Sequence, residues 1–248
     1  MQFFEYGEKN APAVLILHGM MQHWRSMYDL LNPMADRYRL IFAAMDGFYE
    51  DSGDFTSFAD QARQIEEYIH ANHGGKLHGA YGASQGGLML TELLTRGNIV
   101  IRTTIMDGCY VAHQGAVSGK VTAWMFCKYK NTGKFPALIY VTMKLMGTTL
   151  EDFGSAMMNA LYLDATDESI RRNMLENYTY RTRKEITVWE DAVHLWCGSK
   201  EPYALKSHKE LKRYLKNYTE EIMPGLSHGD FLLKHTDPCI EKIRATIG

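Results

Sequence analysis

The stretch KLHGAYGASQGG, residues 76–87, determines the fold that we expect for this chain. Residues 76–81 have the pattern of a short strand, GASQG (residues 82–86) matches G-x-S-x-G, and a helix rich in Leu and Met is predicted over residues 86–95. A serine at such a tight strand-to-helix turn needs small neighbours, because the two backbones approach closely. The N-terminal end of the following helix favours a developing negative charge. Ser84 is therefore the candidate nucleophile.

The sequence on either side of this motif predicts a parallel sheet. Ala13–Leu17 and Leu40–Ala44 are uninterrupted apolar runs, as expected of strands covered on both faces, and residues with helical spacing lie between them from Met27 to Ala35. This order is a βαβ unit. The alternation continues with a helix over Phe58–His70 and strands over Ile99–Met106, Val193–Cys197 and Tyr218–Met223. We predict the α/β class, with a doubly wound, mostly parallel sheet.

Residues 110–188 interrupt this alternation. They contain several helical patterns and no convincing strand, and they far exceed an ordinary loop of ~4–6 residues. We predict that they form a helical cap inserted into a single α/β core, which consists of residues 1–109 and 189–248. The cap is rich in large apolar side chains, and we expect some of them to line a pocket over Ser84. These side chains are Trp124, Met125, Phe126, Tyr140, Met143, Met146, Met157, Met158 and Tyr162.

A serine hydroxyl becomes a good nucleophile only when a base takes its proton. Among ten histidines, His228 is the candidate base, because the loop PGLSHG (residues 224–229) follows the last predicted strand, where ligand sites assemble in open parallel sheets. A carboxylate should orient the imidazole. Glu201 is the first choice, since it lies just beyond another predicted strand and directly before a proline. Asp107, which directly follows a third strand, remains the alternative, because either acid satisfies the chain order Ser, acid, His.

A second loop supplies a candidate oxyanion hole. His18-Gly19-Met20-Met21 follows the first apolar strand and should lie beside the serine turn. The backbone N–H of Met20 can then face that of Gln85, which gives the two donors that an acyl-transfer transition state requires.

Composition narrows the classes of partner and cofactor. A formal net charge of -2 gives no global field that would recruit nucleic acid or an anionic membrane. The four cysteines form no CxxC pair, and no phosphate-binding glycine loop is present, so we expect neither a metal site nor a cofactor. The first ten residues lack the basic and apolar regions of an export signal, which leads us to expect a cytoplasmic protein. The oligomeric state stays open.

Taken together, the His18-Gly19 loop, the Ser84 turn and the His228 loop resemble those of the α/β-hydrolase superfamily, especially its small bacterial serine esterases and lyases. The resemblance covers the chain apart from the cap. It implies a serine hydrolase that acts through an acyl-enzyme, but it does not imply the substrate. The apolar side chains of the cap predict a small or medium acyl ester with an uncharged acyl part, because burying an unpaired charge among them would be costly. The alternatives are a lyase or an acyltransferase with the same triad, or a non-catalytic ligand-binding protein that retains the pocket.

Overall fold

The structure, a computed structural model, describes residues 1–145, 160–182, 186–188 and 192–248. Its strands are β1 (Gln2–Tyr6), β2 (Ala13–Leu17), β3 (Arg39–Ala44), β4 (Lys76–Ala83), β5 (Val100–Asp107), β6 (Val193–Gly198) and β7 (Tyr218–Met223). The described helices are α1 (Arg25–Leu31), α2 (Phe58–His73), α3 (Gln85–Arg96), α4 (Ala116–Thr132), α5 (Leu138–Leu145), α6 (Asp167–Thr179), α7 (Pro202–Leu211), α8 (Asp230–Lys234) and α9 (Thr236–Ile247), with a 3-10 helix at Asn32–Asp36.

The seven strands form one sheet in the order β1-β3-β2-β4-β5-β6-β7. β1 runs antiparallel to β3, whereas each pair from β3 to β7 is parallel. The carboxyl ends of the central strands are aligned, because Ala83 pairs with Asp107 and Asp107 pairs with Trp196. The predicted mostly parallel sheet is confirmed, and the loops that follow its strands meet at one edge.

Helices cover both faces of this sheet, and alternation along β2 shows how the sequence achieves it. Leu15 and Leu17 pack into the apolar cluster on the side of α2 and α3, while Val14 and Ile16 pack into the cluster on the side of α1 and α9. Successive side chains of a strand point to opposite faces, so an uninterrupted apolar run fits a strand covered on both sides.

Several predicted elements end at different residues in the structure. The helix predicted over residues 27–35 is divided into α1 and the 3-10 helix, and Pro33, at the start of the latter, lacks the N–H that an α-helix would need there. β4 runs two residues beyond its predicted end, to Ala83, and β5 includes Asp107. Both extensions bring a strand directly up to a candidate site residue.

α4, α5 and α6 lie between β5 and β6, which are neighbours in the sheet. We call these three helices the cap helices. α4 and α6 approach closely at Gly119, where a Cβ atom would lie 3.1 Å from the carbonyl oxygen of Met174. Residues 146–159 fall outside the described part of the chain, and with them the predicted pocket residues Met146, Met157 and Met158. Within the described ranges, no helix has the length and apolar character needed to cross a membrane.

Candidate active site

Ser84 occupies a strained turn between β4 and α3. Its φ of 53° and ψ of -112° lie in a backbone region that residues other than glycine rarely adopt. The turn closes because its neighbours are small: a Cβ on Gly82 would lie 2.4 Å from the carbonyl carbon of Gly86, and one on Gly86 would lie 2.3 Å from the carbonyl oxygen of Leu17. The Ser84 N–H donates to the carbonyl oxygen of Asp107 at 2.7 Å, which ties the turn to β5.

A continuous hydrogen-bonded line joins three of the predicted residues. Ser84 Oγ lies 3.1 Å from His228 Nε2, and His228 Nδ1 lies 2.6 Å from Glu201 Oε2. The second carboxylate oxygen of Glu201 accepts the N–H of Gly198 at 2.6 Å. Glu201 is 1% exposed and His228 is 7% exposed, so water competes little for either contact.

The groups around His228 stabilise its protonated form. Burial alone would lower its pKa, but the hydrogen bond and negative charge of Glu201, with further charge from Asp107 and Asp230, raise the pKa above the ordinary value of 6.5. The ring of Tyr110 stacks on the imidazole with 4.7 Å between centroids. Gly108 adds no side chain to this crowded place; a Cβ there would lie 3.0 Å from Nδ1.

Asp107, the alternative acid, has different partners. Its Oδ2 accepts the hydroxyl of Tyr81 at 2.6 Å, and its backbone carbonyl holds the serine turn. Burial, together with the charge of Glu201, raises the pKa of Asp107 to about 6, against the opposing effects of Tyr81 and His228. The structure therefore brings Glu201, rather than Asp107, into hydrogen-bond contact with the imidazole.

His18 orders the loop that follows β2. The residue is 1% exposed, and burial lowers its pKa to about 4, so the ring is neutral. The N–H of Met45 donates to its Nε2 at 3.3 Å, which leaves the proton on Nδ1, where it donates to the carbonyl oxygen of Gly19 at 2.9 Å. The Gly19 N–H donates in turn to the side chain of Gln22. The hydrogen bonds of His18 therefore stabilise the loop that follows β2.

The two predicted oxyanion donors are the backbone N–H groups of Met20, which borders the same cavity as Ser84, and of Gln85, which directly follows Ser84. Neither donates to an acceptor within the part of the chain that the structure describes. The side chain of Gln85 is held away from this role: its Oε1 accepts from Asn177 of α6 at 2.6 Å, and its Nε2 lies 3.6 Å from the sulfur of Met45. A cap helix thus fixes the side chain of the residue that follows the candidate nucleophile.

Two chambers open beside Ser84 and His228. The larger chamber has a volume of about 220 Å³ and lies against α1 and α8; it includes Met27, Leu30, Leu232 and Leu233. The smaller chamber has a volume of about 50 Å³ and lies under the cap helices; it includes Met20, Tyr110, Phe126, Leu161, Asn177 and Tyr178. Ser84 therefore borders two spaces of different size.

The predicted pocket residues of the cap divide among several environments. Phe126 alone among the described members of that set lines a chamber with Ser84. Met125 and Met143 are buried in a separate small cluster, while Trp124 and Tyr140 are exposed. Tyr162 is partly buried against the main core.

Sequence reasoning missed Tyr110 and Asn177. Tyr110 follows the end of β5 by three residues, so its position at the carboxyl edge of the sheet was a usable signal. Asn177 lies on a cap helix, and nothing in the sequence relates its position to Ser84. In the described ranges, no cluster of three or more His, Cys, Asp or Glu side chains is arranged to hold a metal ion, and the four cysteines are buried and unpaired.

No family model and no curated protein sequence matches this chain. Solved structures do: an alpha/beta hydrolase family protein from Desulfitobacterium hafniense aligns over 100% of both chains with a TM-score of 0.87 and 20% sequence identity. The chain has the α/β-hydrolase fold. Two further structures with this similarity are a lipase-esterase related protein from Clostridium acetobutylicum (TM-score 0.73, 13% identity, 99% of this chain and 98% of that one) and MenH from S. aureus (TM-score 0.72, 14% identity, 99% and 97%). At such identities the α/β-hydrolase fold is shared and chemistry must be argued from the site.

Proposed function

We propose that this protein is a serine hydrolase that cleaves a small or medium carboxylic ester through an acyl-enzyme. The observation that carries the proposal is the line from Glu201 through His228 to Ser84, with contacts of 2.6 Å and 3.1 Å, at a place that borders two chambers. Nucleophile, base and orienting acid in hydrogen-bond reach of one another are the requirement for activating a serine. The α/β-hydrolase fold supports the proposal, since one structural neighbour is a lipase-esterase related protein.

The residues suit both halves of an ester hydrolysis. Ser84 Oγ attacks the acyl carbonyl carbon, and the hydroxyl proton of Ser84 passes to His228 Nε2. The carbonyl oxygen becomes an oxyanion, which accepts hydrogen bonds from the backbone N–H groups of Met20 and Gln85. Glu201 stabilises the imidazolium. When the tetrahedral intermediate collapses, the bond to the leaving alcohol breaks and His228 gives that oxygen its proton. Water then repeats the sequence on the acyl-enzyme, which releases the acid and restores Ser84.

The two chambers provide separate spaces for the acyl and alcohol parts of the ester. Leucine and methionine side chains of α1 and α8 in the larger chamber, and Phe126 in the smaller, favour uncharged groups, and the carboxylates of Asp29 and Asp107 at the larger chamber disfavour anionic ones. Burying a charge among them without a partner would cost several kcal/mol. We therefore expect uncharged substrates to be preferred.

The test is Ser84→Ala, with Ser26→Ala as the matched control. Ser26 also lines the larger chamber, but its hydroxyl donates to the carbonyl oxygen of His23. We expect Ser84→Ala to abolish labelling by a fluorophosphonate and to lower kcat for p-nitrophenyl esters by up to about 10⁶, the scale for a triad serine. Ser26→Ala should retain both. Undiminished labelling of the Ser84 variant would overturn the proposal.

A further inference from the structure

The charge of α4 and α5 differs from that of the whole chain. Residues 108–150 contain five lysines and no aspartate or glutamate, although the formal net charge of the chain is -2. Lys130 is neutralised by Asp167 at 2.7 Å. The other four, on or next to α4 and α5, are exposed, and none forms an ion pair within the described ranges; they are Lys120, Lys128, Lys134 and Lys144.

The same two helices expose large apolar side chains. On α4, Val117 and Trp124 are 77% and 51% exposed, and with Lys120 and Lys128 they follow at intervals of three or four residues, so they form one stripe. The ammonium group of Lys128 lies 5.5 Å from the centroid of the Trp124 ring. α5 adds three more such side chains, which are Leu138, Tyr140 and Val141.

This exposure is not a by-product of packing within the cap. α5 packs against α4 through Ile139 and Met143, which meet Met125, and Phe126 of α4 faces the smaller chamber. The inner sides of both helices are thus occupied by their own contacts. The exposed aromatic, aliphatic and lysine side chains lie on the remaining, outer sides of the two helices, and exposed apolar groups rimmed by charges mark interaction surfaces.

We propose that the outer face of α4 and α5 docks on an anionic lipid surface. Trp and Tyr are favoured at the boundary between headgroups and acyl chains, aliphatic side chains enter the acyl region, and lysines pair with lipid phosphates and carboxylates. Each lysine close to such a surface strengthens binding roughly fivefold. We commit to a lipid surface because Val117 and Trp124 share one stripe of α4 with two lysines, so the apolar and cationic groups can reach the acyl and headgroup regions together. An acidic protein partner is the alternative that the absence of vesicle binding would favour.

The expectation of no membrane partner came from the charge of the whole chain. The net charge of the whole chain does not determine how one face binds a membrane, because charges more than about 8–10 Å from the lipid surface are screened at physiological salt. Only the groups on the contacting face matter, and on α4 and α5 these are cationic.

Vesicle flotation with the full chain tests the proposal without reference to catalysis. The probes are phosphatidylcholine vesicles with and without a substantial fraction of phosphatidylserine, at low and high salt. The test variants are Lys120→Gln/Lys128→Gln and Trp124→Ser. The matched control is Lys206→Gln/Lys209→Gln, which removes the same charge from the exposed side of α7. Thermal unfolding checks that every variant is folded.

We expect binding to the phosphatidylserine vesicles that weakens with salt, falls at least about tenfold in the cap lysine pair and in Trp124→Ser, and is unchanged in the control pair. Equal binding to both vesicle types, no binding to either, or an equal loss in the control pair would overturn the proposal. So would a concentration-dependent dimer that Trp124→Ser abolishes, because the face would then be an interface between two copies. Fluorophosphonate labelling of Ser84 is read separately, so failure here and failure of the proposed hydrolase activity are distinguishable.

Discussion

Replacing Glu201 by Gln should abolish most of the hydrolase activity, because it should move the ring proton of neutral His228 from Nδ1 to Nε2. The N–H of Gly198 points at one carboxylate oxygen of Glu201 and the imidazole Nδ1 meets the other, each at 2.6 Å. Gln has one carbonyl oxygen and one NH₂ group. The N–H of Gly198 can only donate, so it requires the oxygen, and the NH₂ group is left facing Nδ1. Nδ1 must then accept, which places the ring proton on Nε2 opposite Ser84 Oγ.

An imidazole with its proton on Nε2 cannot take the serine proton. Loss of a triad carboxylate by this route has cost about 10⁴ in kcat in a serine protease, or about 5.5 kcal/mol of transition-state stabilisation. We expect a similar fall for Glu201→Gln, with little change in KM, because the residue is buried and does not line either chamber. Steady-state kinetics with a p-nitrophenyl ester measure both constants, and near-native thermal unfolding shows that the fold persists.

Asp107→Asn is the control for this reasoning. The Asn oxygen can still accept the Tyr81 hydroxyl, and no hydrogen bond to His228 is lost, so the fall in kcat should be much smaller. If Asp107→Asn reduces kcat more than Glu201→Gln does, Asp107 is the functional acid and the Gly198 N–H does not determine the proton position on His228.

Three further outcomes follow from the geometry. Gly82→Ala should cost more than about 2 kcal/mol of stability, because its Cβ would meet backbone at 2.4 Å, whereas Gly53→Ala, with no atom within 4 Å, should leave the thermal midpoint unchanged. Since the pKa of His228 is raised and the neutral ring is the base, kcat/KM should fall with decreasing pH around a midpoint above 6.5; a lower midpoint would contradict this. Phe126→Ala should shift the optimum of an ester panel toward longer chains by enlarging the smaller chamber, while Trp124→Ala on the outer side should not.

The strands of the sheet centre were predictable because their burial on both faces leaves a simple record in the sequence. Ala13–Leu17 and Leu40–Ala44 are continuous apolar runs, and the structure places β2 and β3 there. β1 was not predicted. It is a five-residue antiparallel edge strand whose residues are only partly covered, so its sequence lacks the apolar run that identifies the others.

The candidate site was largely predictable for a topological reason. Ser84, Glu201 and His228 each follow a strand of a parallel sheet, and the carboxyl ends of such strands gather at one edge. The choice between Glu201 and Asp107 could not be made in this way, because both satisfy the same rule. It depends on the direction of each side chain, which is set by contacts such as the Tyr81 hydroxyl on Asp107.

The cap shows where periodicity stops being informative. Sequence spacing distinguishes the buried side of a helix only when the other side is polar. α4 has Phe126 facing the smaller chamber, Met125 against α5, and Val117 and Trp124 exposed, so apolar residues occur around most of its circumference. A helix with apolar residues around most of its circumference cannot bury all of them within a cap that is one layer of helices thick. One side therefore lines the space beside Ser84 and another is left facing outward, which is why the apolar residues of the cap could not be assigned together to the pocket.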